Sequence, residues 1–185
     1  MGFRQQYNIN ETLEKLSGPT PEEIIVKNQK AITALDLFHK SSRSKFKFSI
    51  DGTLHETEIA WDSNFQKNAS RDKRQLAENG AISFAWFLMS VLLDYSHLEQ
   101  TEQKDGTDYF FMKEIPPEDD LNFLKNSHYV EISGLLEEKG SNTLKKRLKD
   151  KHGQISRGRK ADQPSSVIVS LIKFPNVIKD LHHET

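Results

Sequence analysis

Cysteine is absent from this chain of 185 residues. Disulfides, thiolate catalysis and cysteine-based zinc sites are therefore excluded. A reducing cytosol fits best, so the cytoplasm is the expected compartment. Long apolar runs are also absent. The longest, Ile82 to Leu93, is too short to span a bilayer and begins far from the N-terminus. Met1 to Gln6 lacks the charged-then-apolar pattern of a signal segment. Gln6 stands where a myristoylation signal after Gly2 wants Ser or Thr. Excess charge of one sign is missing too. Lys and Arg number 26 against 27 Asp and Glu, a net charge of -1, so the whole molecule offers no electrostatic argument for a polyanion partner. There is no internal repeat, Walker loop, Gly-x-Ser-x-Gly elbow or dinucleotide fingerprint. Phosphoryl transfer from nucleotides and serine-nucleophile hydrolysis thus lack support. The seven histidines show no His-Glu-x-x-His spacing, and the adjacent His182 and His183 do not share a helical face.

What is present is a polar chain with a concentrated core, 35% hydrophobic and 29% charged, of a length that suits one domain with a modest extension. Thr20, Pro21, Glu22 and Glu23 open a helix as an N-cap, a first-turn proline and dipole-favoured acids. Ile24, Ile25, Ala31, Ile32, Leu35 and Phe38 give it an apolar stripe. Phe46, Phe48 and Ile50 alternate with polar residues as a strand, Asp51-Gly52 is a hairpin dipeptide, and Leu54 to Trp61 is the return strand. Residues 1–70 thus read as a helix-plus-hairpin extension, closed by the polar linker Asn64 to Ser70.

Residues 71–185 read as the core. Asp72 to Tyr95 is the strongest helix, and its apolar surface nearly encircles it, which predicts packing on more than one side. Strands are expected at His97 to Glu102, Thr107 to Lys113 and His128 to Leu136. Asn142 to His152 follows as a Lys- and Leu-rich helix, then a buried strand from Ser166 to Phe174, ended by Pro175. Helix, three strands, helix, strand is an αβββαβ order and predicts an α/β fold with a mixed sheet.

Three carboxylates break the apolar pattern of this core. Glu78 shares a helical face with Ala81, Ile82, Ala85 and Met89. Asp108 begins the strand Tyr109 to Met112, and Glu131 sits between Val130 and Ile132. A charged carboxylate in an apolar strand is costly unless paired or metal-bound. Taken singly, Glu78 also reads as a dipole-favoured surface residue, Asp108 as a turn residue, and Glu131 as facing a sheet surface open to water. Taken together they point to a site for a hard cation, Mg²⁺ or Mn²⁺. Tyr95, Phe111 and Trp86 read as core residues rather than base-stacking platforms.

At these residues the chain resembles the PD-(D/E)xK, or restriction-endonuclease-like, nuclease superfamily. The resemblance matches Glu78 to the acid of the first core helix. It matches Asp108, in Asp-Gly-Thr-Asp-Tyr-Phe-Phe, to the metal-binding aspartate of the second strand, and Glu131, in Tyr-Val-Glu-Ile-Ser-Gly, to the glutamate of the ExK motif. The chain is also similar to a small group of uncharacterised bacterial proteins with a Gly-x-Asp-Tyr strand and a Glu-Val/Ile-Ser-Gly strand. The resemblance spans roughly the C-terminal 60% of the chain, about one small domain. It implies metal-dependent hydrolysis of DNA or RNA, with Asp108, Glu131 and Glu78 as metal ligands. One position departs from the pattern: Ser133 stands where the motif has its lysine. The following helix offers Lys146, Lys149 and Lys151, with Gln154 beyond, and Lys149 is the expected displaced catalytic lysine. Lys145, Lys146, Lys151, Gln154, Arg157, Arg159 and Lys160 are the expected nucleic-acid contacts, by charge on phosphate. The same basic run also reads as an ordinary solvated helix face. The rival expectation is a catalytically inactive nucleic-acid- or protein-binding module on the same fold, and a homodimer stays open.

Overall fold

The computed structural model describes residues 3–63, 72–101, 106–115, 117, 127–158 and 164–182, so the expected linker Asn64 to Ser70 lies outside the described residues. The predicted helix opening at Thr20 is present. Its hydroxyl accepts from Glu23 N at 3.2 Å, the Glu23 side chain reaches back to Thr20 N at 3.0 Å, and Pro21 begins α2 (Pro21–Asp36). This capping box satisfies two backbone donors that the first turn leaves open. It is preceded by a three-residue strand β1 (Gln6–Asn8) and a short helix α1 (Thr12–Lys15). Strands β2 (Arg43–Ile50) and β3 (Thr53–Ala60) pair antiparallel through the two-residue turn Asp51-Gly52, whose φ values of 48° and 85° suit a hairpin.

The long helix α3 runs over Lys73–Phe87 and ends in a wider π-turn stretch, Leu88–Leu92. Then come β4 (His97–Gln100), β5 (Tyr109–Met112), β6 (His128–Leu135), α4 (Leu144–Gly158), β7 (Ser165–Leu171) and β8 (Asn176–Leu181). The last strand departs from the sequence expectation. The buried strand stops at Leu171, and after Pro175 the chain returns as β8, antiparallel to β7. The alternation of β8 is weak because its two buried positions are Val177 and Lys179, one apolar and one charged. Lys179 is held there by Asp51 at 2.8 Å.

All eight strands form one mixed sheet in the order β1-β3-β2-β8-β7-β6-β5-β4. Strand β8 is the joint: it pairs with β7 on one side and parallel to β2 on the other, so the N-terminal hairpin continues the sheet of the core. The parallel pair β6 and β7 is joined by the crossover helix α4, as a parallel connection requires. Helices α2 and α3 cover one face. There Phe46, Phe48, Phe84, Phe87, Phe111, Val130, Ile132 and Ile168 form the main core. Helix α4 covers the other face, where Leu144 and Ile155 pack on Leu135, Val167, Val169 and Leu171. Phe111 and Trp86 lie in the core, and Tyr95 packs half-buried against it. Among the described residues, no helix is long and apolar enough to cross a membrane.

Alternation along β6 decides what each face receives. Val130, Ile132 and Gly134 point to α3, so Glu131, Ser133 and Leu135 point to α4. Gly134 has no side chain because α3 passes too close: a Cβ there would lie 2.1 Å from the Ala77 carbonyl oxygen. This contact seats the first turns of α3 beside the C-terminal end of β6.

Candidate functional site

Strand β6 outruns its neighbour. Three of the four residues of β5 pair with its first half, Tyr109 opposite Val130, and the chain turns away before them, at Gly106 with φ 70°. The edge of β6 beyond Glu131 therefore has no strand beside it among the described residues. Asp108 closes the ladder. Its backbone N–H donates to Val130 O at 2.9 Å, and its carboxylate accepts the N–H of Ile132 at 2.7 Å, a donor that a longer β5 would have paired.

A cleft of about 850 Å³ opens at this place. Lys73, Arg74, Ala77 and Glu78 of α3 form one wall. Ser133 to Glu137 of β6 and its exit form the floor, and Asn142, Arg147 and Lys151 form the wall on the α4 side. Asp108 and Tyr109 close the end.

Glu131 is 1% exposed, and it neighbours the Asp108 carboxylate. Burial is the main cause that pushes Glu131 up to about 7, and the neighbouring Asp108 charge adds to it. Burial likewise raises Asp108, against the opposing pull of its bond from Ile132. Two neighbouring carboxyls each raise the cost of ionising the other, so their titrations belong to the pair. The same field reaches Tyr109, whose phenol is raised to about 12 by burial and then by Asp108.

The counter-charge comes from α4. The Lys151 ammonium donates to Glu131 Oε1, and also to Gln154 Oε1 at 3.1 Å. Lys149 is exposed instead. Two residues correspond to about 200° of helical rotation, so Lys149 and Lys151 face nearly opposite directions. The sequence carried a signal for this. Leu144, Leu148 and Ile155 mark the inward stripe of α4, and Lys151 is the one polar residue at the same helical spacing. Arg147, part of the same basic run, lies one turn before Lys151 and lines the same wall.

Glu78 lines the cleft but ion-pairs with Arg74 at 2.8 Å and stays half-exposed. Glu78 thus has a cation partner of its own on α3. Among the described residues no group of three or more His, Asp or Glu side chains is arranged to hold a metal. Of the other expected nucleic-acid contacts, Lys145, Lys146 and Arg157 are exposed on α4, and Lys146 is paired with Asp150 at 2.9 Å. Arg159 and Lys160 lie outside the described residues, as does His183. His182 stacks on His152, with a centroid separation of 5.3 Å, and His152 pairs with Asp180 at 3.0 Å, away from the cleft.

No protein-family model matches the chain, and no curated protein and no solved structure is significantly similar to it.

Proposed function

We propose that this chain is a metal-dependent phosphodiester hydrolase acting on DNA or RNA. Its α3, β4, β5, β6, α4 and β7 would serve as a restriction-endonuclease-like αβββαβ core. The observation that carries the reading is Asp108 lining a basic-walled cleft beside the buried Glu131, both raised in pKa, with the Lys151 ammonium donating to Glu131. Perturbed acids with a specific charged partner in a cleft are what general acid-base and metal chemistry require.

The donor set fits a hard cation. Asp108 and Glu131 are oxygen donors, adjacent and mutually repelling once ionised, a conflict that Mg²⁺ or Mn²⁺ resolves. Two protein carboxylates with water and phosphate completing the shell is a usual arrangement for Mg²⁺. When bound there, the ion supplies a more acidic water and stabilises charge on the phosphodiester. The residues of the chain do the rest. Asp108 keeps its orientation through the Ile132 N–H. Lys151 brings to Glu131 the positive charge that Ser133 lacks, and it would offset charge developing on a phosphate bound in the cleft. The narrow approach between α3 and β6 at Gly134 holds one wall in place.

The test is calorimetric titration of Mn²⁺ and Mg²⁺ into the wild-type protein and into Asp108→Asn and Glu131→Gln. Saturable binding that disappears in both variants is the expected result, followed by cleavage of labelled DNA or RNA that Lys151→Met abolishes. A wild type that binds neither ion, alone or with an oligonucleotide present, would sink the reading. The rival, a binding module without catalysis, is favoured by one observation: Lys151 already neutralises Glu131 without a metal. It predicts nucleic-acid or protein binding that Asp108→Asn leaves unchanged.

A further inference from the structure

The cations of the cleft are not equivalent. Arg74 is held by Glu78 at 2.8 Å and Lys139 by Glu137 at 2.6 Å, while Lys151 is engaged with Glu131. Two lining cations make no ion pair among the described residues, Lys73 on α3 and Arg147 on α4. The Arg147 Nε–H donates to the Asn142 side-chain oxygen at 2.9 Å, a neutral acceptor that orients the guanidinium and leaves its charge without a direct carboxylate partner. Since α3 and α4 pack on opposite faces of the sheet, these two charges stand on opposite walls, and Asp108, on a strand between the two faces, lines the same cleft.

We infer that Lys73 and Arg147 bind the phosphates on the two sides of the one at the carboxylates. The preferred substrate is then a strand that continues past the cut in both directions, an internal phosphodiester rather than a terminal one. The inference rests on the phosphodiester reading above. The physical case is the placement of charge. A polyanion entering the cleft meets the Asp108 carboxylate, where a cation or Lys151 must mediate, and among the described lining residues it meets positive charge without an ion-pair partner at Lys73 and Arg147 on the two walls. Arginine suits one end, because its planar fork matches two phosphate oxygens, and the neutral Asn142 contact pre-orients it. The outward cations Lys145 and Lys146 then contribute only diffuse field.

The experiment uses the Asp108→Asn protein as a background, to keep substrate intact, and measures binding of a labelled oligonucleotide by fluorescence anisotropy across a salt series. Lys73→Gln and Arg147→Gln are each expected to weaken binding several-fold and to lower the slope of log affinity against log salt by about one. Arg147→Lys, which keeps the charge, is expected to retain the slope. Lys146→Gln, on the outer face, serves as the control and is expected to leave the slope unchanged. Unchanged slopes in both wall variants, or an equal fall in Lys146→Gln, would overturn the inference while leaving the hydrolase reading in place. Absence of salt-dependent binding by the background protein and by the wild type would remove both. In the active protein, circular single-stranded substrate is expected to be cut as readily as linear. Cleavage confined to free ends would overturn the internal-bond assignment alone.

Discussion

Replacing Glu131 by Gln isolates the cost of placing a carboxylate in this sheet. In the folded protein the Glu131 carboxyl titrates at about 7 rather than at 4.5, chiefly because it is buried. A folded-state pKa above the unfolded one means the native state holds the proton more tightly. Stability from this group is then fully present below the unfolded value and is lost as pH rises through the folded one. The window runs from about 4.5 to about 7. At roughly 1.4 kcal/mol per pH unit, the loss across it comes to about 3 kcal/mol. It belongs to the Asp108–Glu131 pair jointly, because the charge of each bears on the other. The amide introduced by Glu131→Gln cannot ionise, so the variant lacks this component. The assay is urea denaturation of both proteins at pH 5, 6, 7 and 8 in the presence of a chelator, comparing the difference between them so that groups remote from the pair cancel. The wild type is expected to lose stability relative to Glu131→Gln as pH rises, levelling off above about 7. If the two stability curves run parallel from pH 5 to 8, the raised carboxyl pair is wrong. Adding Mn²⁺ at pH 8 should restore wild-type stability and leave the variant unaffected.

Other expectations follow from the same geometry. Lys151→Met leaves Glu131 buried without its cation and should lower stability at pH 8 by on the order of 3 kcal/mol, read from the urea midpoint at constant slope. Gly134→Ala drives a methyl into the Ala77 carbonyl and should cost about 3 kcal/mol or more. A melting temperature within a degree or two of wild type would refute the close approach of α3. Thr20→Ala removes one half of the capping box of α2 and should cost about 1 kcal/mol by thermal or urea denaturation, without altering metal binding.

The elements were largely legible in the sequence because their signals are local. Thr20 with Glu23 three residues later specifies a helix start, Asp51-Gly52 specifies a two-residue hairpin, and Phe46 and Phe48 alternate as a strand must. Strand β8 escaped because a lysine occupies one of its two buried positions, so Val-Ile-Lys-Asp gives no clean period of two. The partner that makes Lys179 tolerable there, Asp51, lies in the hairpin turn at the other end of the chain. The same strand carries the N-terminal hairpin into the main sheet, a long-range pairing that composition and periodicity do not encode.

The site divides the same way. That Glu131 is out of place between Val130 and Ile132 is a property of sequence alone, since period-two alternation obliges it to share a buried strand's face. The type of residue at Asp108 was also readable there. That Asp108 ends a strand shorter than β6, and so opens a cleft beside the exposed edge, was decided by the pairing register. Which lysine meets Glu131 depended on the rotation of α4 about its axis. Leu144, Leu148 and Ile155 set that rotation by burying against β6 and β7, which brings Lys151 inward and turns Lys149 out. Glu78 was drawn from the cluster by an arginine one turn earlier on its own helix. Local sequence chose the chemical groups, because propensity and alternation act over a few residues. Tertiary packing chose which of them meet, because distances across a sheet depend on register and helix rotation.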